Sequence, residues 1–314
     1  MKSPVLFIIF KRADTTKRVF ERIREAQPTK LYIAADGPRK DRLDEVEKCK
    51  AARKVVEVID WPCEVHRLYR DENLGCGKGV SSAVTWFFEH EEQGIIIEDD
   101  ILPHIDFFRY CDEMLDRYKN DERIQMICGR NCLYDGCNSD VSYYLSSFGQ
   151  IWGWASWKRV WDTYVFDIGI IPRDKYIEIL NNRLPLKSVK YFIRNYDRML
   201  KFEVDTWDYQ FCINWMYYNR YCLLPIVNMV ENIGFGSVDA THTSFDDRKK
   251  SKHKAFSPYP LKHPAKLIID NKLEQMTMIN AGCYFRPFYL KVYNKLKSYV
   301  RFYISRESLV STKK

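Results

Sequence analysis

No Cys-x-x-Cys pair occurs in this chain, and its ten cysteines are scattered over 314 residues. The nearest group, Cys128, Cys132 and Cys137, lacks the spacing of a zinc site. A disulfide framework like those of short secreted domains is therefore not expected, and the cysteines read as buried thiols in a reducing cytoplasm. Long apolar runs are missing too. None reaches the ~18 residues that a membrane-spanning helix needs. The run from Val5 to Phe10 is too short for a signal-peptide core and meets Lys11 and Arg12 without a cleavage site, so neither export by a signal nor a transmembrane anchor is expected. There is no internal repeat. No low-complexity linker precedes the charged stretch Asp246 to Lys254, which reads as a loop or boundary.

What is present is an ordinary globular composition: hydrophobic residues make up 46% and charged residues 29%, enough to bury a core without staples. Aromatic residues reach 15%, and rings serve cores as well as sugar or base stacking. The net charge of +8 is concentrated at one end. Residues 284–314 hold eight basic side chains (Arg286, Lys291, Lys295, Lys297, Arg301, Arg306, Lys313, Lys314) against Glu307, so the preceding 283 residues are almost neutral. Phe285, Phe288, Tyr289, Tyr293, Tyr299, Phe302 and Tyr303 stand between those bases. The mixture suits a helix lying on an anionic membrane surface. A helix packed on the domain with a solvated basic face explains it equally well. No nucleic-acid motif accompanies it, and no nucleic-acid partner is expected.

Apolar runs and turn signals alternate along the first 120 residues. Val5 to Phe10 reads as a buried strand, followed by a helix carrying Val19, Phe20 and Ile23. Leu31 to Ala35 is a second strand, stopped by Asp36-Gly37-Pro38, and Asp41 to Ile59 is an amphipathic helix. Residues 63–69 supply a third strand. A polar loop from Arg70 to Gly79 leads into a helix over Val80 to His90, and Gly94 to Ile97 is a fourth strand ending in Glu98-Asp99-Asp100. Further on, Ile105 to Lys119 reads as a helix, and Ile124 to Cys128 and Tyr143 to Ser146 as strands. The pattern predicts an α/β fold with a mostly parallel central sheet flanked by helices and a basic helical tail at the C-terminus. Parallel sheets place ligands beyond the carboxyl ends of their strands, so Lys11-Arg12, Asp36-Gly37, the glycine-rich loop and the three acids are expected to converge on one edge.

Three adjacent carboxylates repel and raise one another's pKa unless cations neutralise them. A hard divalent cation such as Mn2+ or Mg2+ fits, because it takes oxygen ligands and commonly binds through one or two carboxylates plus substrate phosphates. An acidic turn before a helix is the plainer explanation, since carboxylates suit a helix N-terminus.

Four segments then carry a resemblance: FKRADTTKRVFERI, AADGP, NLGCGKGV and IIIEDDILPHIDFFRYCDEML, in that order over more than a third of the chain. Together they resemble the nucleotide-sugar-binding half of GT-A glycosyltransferases, in particular bacterial nucleotide-diphospho-sugar transferases of the hemolysin-activation-like group. The likeness to N-acetylglucosaminyltransferase I is more distant. The resemblance implies a GT-A (Rossmann-like) domain with a nucleotide-sugar-binding half over 1–122, an acceptor-binding half over 123–250, and a loop and tail over 251–314. It also implies that Asp100 binds the metal, with Asp99 in the metal shell and Glu98 and Asp99 facing the ribose. Arg12 and Asp36 would hold the uridine, Gly77 and Lys78 would lie near the phosphates, and Phe10 and Arg70 would join the nucleotide-sugar contacts.

In the second half Asp205 and Asp208 flank Trp207 before an apolar helical run, and inverting members of the family place their base in a similar setting. Inversion needs a carboxylate that removes the acceptor proton opposite the leaving diphosphate. Asp208 is the first candidate and Asp205 the second, although either could simply cap a helix. Trp152, Trp154 and Trp207 are candidate acceptor contacts, and His242 a candidate metal ligand. The expected enzyme transfers sugar from a UDP-sugar to a saccharide acceptor of a surface polysaccharide or lipid-linked oligosaccharide. It would work in the cytoplasm, peripherally on the membrane face. Two alternatives remain: a sugar-1-phosphate nucleotidyltransferase, which should carry a glycine-rich first loop that Lys11-Arg12-Ala13-Asp14 lacks, and a non-catalytic membrane- or nucleic-acid-binding protein.

Overall fold

Strand β1 (Val5–Ile9) is buried on both faces, which is what a run of Val, Leu, Phe and Ile demands, and it forms the middle of a parallel set. It pairs with β2 (Lys30–Ala35) on one side and β4 (Gln93–Glu98) on the other, and β2 pairs with β3 (Glu64–Tyr69) at the sheet edge. The computed structural model describes residues 1–133, 139–235 and 254–284. Strand register sets where each strand ends. Ile9 lies opposite Ala35, Ala35 opposite Tyr69, and Ile8 opposite Glu98, so the residues after all four strands emerge together. Three crossover helices connect them: α1 (Ala13–Ala26), α2 (Asp44–Val55) and α3 (Gly75–His90).

Helix α3 begins five residues earlier than the sequence predicts, so the glycines expected in a loop form its first turns. The cause is a cap from far along the chain. Asp205 accepts hydrogen bonds from the backbone amides of Cys76 (2.8 Å) and Gly77 (2.9 Å), two groups that a helix start otherwise leaves unpaired. Gly75 enters the turn at φ +78°, and a Cβ on Gly77 would come within 2.7 Å of the Asp205 carboxylate. Glycine is needed there for close approach as well as for the backbone angle.

The sheet continues past β4 in a different style. After the short β5 (Ile101–Pro103) and α4 (Asp106–Tyr118) come β6 (Ile124–Cys128), β7 (Tyr143–Ser146) and β8 (Trp154–Trp157). Helices α5 (Lys158–Trp161), α6 (Arg173–Arg183), α7 (Leu186–Leu200) and α8 (Asp208–Tyr217) precede β9 (Tyr221–Pro225) and β10 (Val230–Asn232). Helix α9 (Asn271–Asn280) comes next, capped by Asp270. One eight-stranded sheet runs β3-β2-β1-β4-β8-β6-β9-β7, with β8 and β7 antiparallel to their neighbours, while β10 pairs separately with β5. Pairing is parallel throughout from β3 to β4 and again between β6 and β9, with β8 and β7 as the antiparallel strands, so the whole is a mixed, mostly parallel α/β sheet flanked by helices. Strands from residues 1–122 and 123–250 share that single sheet. Among the described residues no helix is long and apolar enough to cross a membrane. The basic tail beyond Tyr284 lies outside the described residues.

Candidate functional site

At the carboxyl ends of β1, β2 and β4 the chain opens into a cleft of about 570 Å³. Its floor is the acidic turn after β4. Asp99 is almost fully buried and accepts the amide of Phe10 at 3.2 Å, while Arg12 spans both acids, bonding Asp99 and, at 3.0 Å, Asp100. The parallel register makes this meeting unavoidable, because Phe10 to Arg12 and Asp99 to Asp100 leave adjacent strands at the same level. The segment after β10 closes over the pair. Ile233 donates its amide to the Asp100 carbonyl at 2.8 Å, and a Cβ on Gly234 would meet Asp100 at 2.4 Å and Arg12 at 2.7 Å.

One guanidinium cannot neutralise three acids. Burial, then the charges of Asp100 and Asp99, push the Glu98 carboxyl up to about 8, with Asp208 adding to the same effect. Burial also lifts Asp99, to about 6, against the opposing pull of Arg12. The Cys76 thiol, which lines the cleft, is pushed well up by burial and by the charges of Glu98, Asp208, Asp205 and Asp100. Such a site favours a further cation. Among the described residues no group of three or more His, Cys, Asp or Glu forms a closed metal cage. The donor set instead fits a hard cation held by one or two carboxylates, with substrate phosphate oxygens completing the shell.

Another part of the cleft is formed around Asp36. Its carboxylate accepts the Leu74 amide (3.0 Å) and the Asn73 side-chain amide (2.9 Å), and burial still raises its pKa. Arg70 lines the cleft with its guanidinium on Ser82 at 2.9 Å. Lys11, expected beside Arg12, turns inward instead to a buried ion pair with Glu45 at 2.7 Å. Arg39 shares that carboxylate while lining the cleft, and the two cations hold Glu45 down at about 2.

Of the other sequence candidates, Glu98, Trp152, Trp207, Asp205 and Asp208 line the cleft, and Gly77 and Lys78 do not: Gly77 is buried behind Asp205, and Lys78 is exposed outside it. Trp154 lies within the sheet at 1% exposure, stacked on Trp207 with centroids 5.7 Å apart. His242 lies outside the described residues. Asp205 spends both oxygens on the start of α3. Asp208, the first residue of α8, accepts the Thr206 hydroxyl and the Tyr209 amide (2.9 Å) on Oδ1, which leaves Oδ2 without either bond.

No protein-family model matches the chain, and no curated protein does. The solved structures that resemble it in part include these three. One is HddC from Yersinia pseudotuberculosis, at 13% identity and a TM-score of 0.31 over 54% of this chain and 85% of that one. Another is UDP-glucose pyrophosphorylase complexed with UDP-glucose, at 11% and 0.36 over 72% and 90%. The third is S. aureus TarS 1–349, at 11% and 0.37 over 70% and 71%. At these values the likeness carries no inference about activity or substrate.

Several cleft residues escaped the sequence reading: Arg39, Asn73, Arg130, Gln150, Asn232 and Phe235. Arg39 follows the AADGP segment and Asn73 opens NLGCGKGV, but neither was picked out as a contact in its own right. Arg130 comes soon after Cys128, the end of β6, and could have been found by the same rule about strand ends that picked Arg12 and Asp36. It is 6% exposed, with its guanidinium 3.5 Å from the centre of the Trp152 ring.

Proposed function

We propose that the chain is a metal-dependent inverting glycosyltransferase of GT-A type that uses a UDP-sugar donor and a saccharide acceptor. The observation that carries the reading is one cleft lined both by the acidic turn Glu98, Asp99 and Asp100 after β4 and by Asp208 at the start of α8. A dissociating diphosphate needs positive charge, and an attacking hydroxyl needs a base on the other side. Asp36 and the groups around it would receive the base, and Arg12 would hold the ribose and diphosphate side. Mn2+ or Mg2+ on Asp100 and Asp99, when bound, supplies Lewis-acid stabilisation of the departing diphosphate.

Asp208 would take the acceptor proton on Oδ2, with Thr206 and Tyr209 fixing its orientation through Oδ1. Asp205 has the same chemistry but is held by two amides, so its part is to anchor α3. Trp152 would cover the sugars, excluding water that would otherwise hydrolyse the donor, while Trp207, 2% exposed and stacked on Trp154, packs beneath the cleft as core. The acceptor is read as part of a surface polysaccharide or lipid-linked oligosaccharide, with the tail over 284–314 resting on the cytoplasmic membrane face.

Nucleotidyl transfer from UTP to a sugar 1-phosphate would use the same floor but would give Asp208 no substrate proton to remove. Two incubations with Mn2+ separate the readings. UDP release from UDP-sugars with saccharide acceptors is expected, and pyrophosphate release from UTP with sugar 1-phosphates is not. The opposite pattern overturns the assignment, and failure to bind UDP with or without metal removes both in favour of a binding protein.

A further inference from the structure

Behind Asp208 lies a second, smaller cavity of about 190 Å³. It shares Asp208, Gln150, Trp152 and Arg130 with the main cleft, then runs inward between α6, α7 and α8. Its lining is aromatic, with Phe148, Tyr191, Phe192, Tyr209 and Trp215 among the rings. An apolar cavity of that kind would need no explanation by itself. Two of its polar atoms do. The Tyr176 hydroxyl, on a residue with 0% exposure, and the buried Oε1 of Gln150 find no hydrogen-bond partner among the described residues. A buried polar group left unmatched is costly to the fold, so two in one cavity point to a ligand that supplies the missing bonds.

We propose that this cavity is the acceptor subsite, and that it takes a single pyranose ring. The inference rests on the glycosyltransferase reading and adds what that reading leaves open, namely how much of the acceptor is recognised and by which groups. A pyranose offers apolar C–H faces to aromatic walls and hydroxyls to Tyr176 and Gln150. The volume is below the roughly 300–1,000 Å³ of a drug-sized site, which excludes an oligosaccharide inside it. The rest of a longer acceptor would extend outward. Asp208 stands at the junction of the two cavities, where a hydroxyl of the seated ring can face both the base and the donor.

The test uses the full chain with a panel of simple methyl pyranosides (gluco, galacto, manno and N-acetylglucosamine forms). Glycoside binding is read by saturation-transfer NMR, and UDP–Mn2+ binding by calorimetry in parallel. At least one glycoside should bind, and Tyr176→Phe should weaken it about five- to tenfold, one hydrogen bond's worth. The same variant should keep its UDP affinity and a melting temperature no lower than the parent, because the hydroxyl it loses has no partner among the described residues of the free protein. Gln150→Met should likewise weaken the glycoside. The proposal falls if UDP binds while no glycoside does, or if Tyr176→Phe holds the glycoside as well as the parent. Glycoside binding that depends on Tyr176 in a protein that ignores UDP would uphold the subsite and sink the donor assignment instead.

Discussion

The two walls of the cleft work by different physics. The wall built from β1, β2 and β4 presents charge: Arg12, Asp36, Glu98, Asp99 and Asp100, set side by side because parallel strands in register deliver their next residues to one level. The wall built from the segment before β8 and from α8, continued inward by α6 and α7 in the smaller cavity, presents rings, with one carboxylate, Asp208, left to act among them. On the first wall Arg12, Asp99 and Asp100 share their charge with Glu98 pressed against them, whereas Asp208 is held on one oxygen by its own turn. A site split this way can change partners on the ring side without disturbing the ion pairs that grip the other.

The sharpest way to break this comparison is to exchange the two acids on the ring wall. Asp208→Asn should lower transfer by about 10²–10⁴-fold, the usual contribution of a general base, with UDP affinity unchanged. Asp205→Asn should act on the fold. One of the two amides at the start of α3 would then face an NH2 group, costing about 1–3 kcal/mol of stability, while transfer by the folded fraction stays far above that of the Asp208 variant. Parallel rate assays and thermal melts decide the matter. Equal loss of transfer in both variants, with both folded, would remove the distinction.

On the charged wall the largest effect should come from Arg12→Met. The side chain is mostly buried, at 18% exposure, and its removal leaves Asp99 and Asp100 uncompensated. Breaking such a pair from one side costs about 3–5 kcal/mol, toward the lower end here because some exposure remains. Mn2+ should restore part of the lost melting temperature, since a ligand that binds only the folded state stabilises it. A variant that melts like the parent in metal-free buffer would show that Arg12 does not neutralise the acidic turn.

The same division explains what could be read from the sequence. The strands through β4 were legible because each is a short apolar run closed by turn residues, and the rule about strand ends then selected Arg12, Asp36 and the acidic turn. The start of α3 was not, since five glycine-rich residues become helical only through Asp205, 128 residues beyond Gly77. Lys11 looked equivalent to Arg12, and only the fold shows it turned to Glu45. Trp154 was indistinguishable from Trp152 as a sugar contact, because β8 carries Trp154 into the sheet and leaves Trp152, just before the strand, at the cleft. Tyr176 carried no local signal at all. Its importance is a missing partner, which no linear pattern records.

The smallest effect concerns Glu98, and it tests whether the charged wall is under-neutralised without metal. Its carboxyl sits at about 8 in the folded protein against an ordinary 4.5, so between those limits the native state holds a proton that the unfolded chain releases. Stability from this group is therefore fully present below about 4.5 and drains away as pH rises toward 8. Asp99, at about 6 against 3.8, adds a loss of the same sign over a lower window. Metal-free protein should accordingly melt at a lower temperature at about pH 8 than at about pH 5.5. Glu98→Gln should flatten that slope while leaving the Asp99 part, with the gain over the parent largest at the alkaline end. Saturating Mn2+ should flatten the parent's slope as well, because the cation supplies the charge that the proton otherwise stands in for. Parallel slopes for parent and variant in metal-free buffer would mean that Arg12 alone suffices for all three acids, and the contrast between the two walls would lose its electrostatic half.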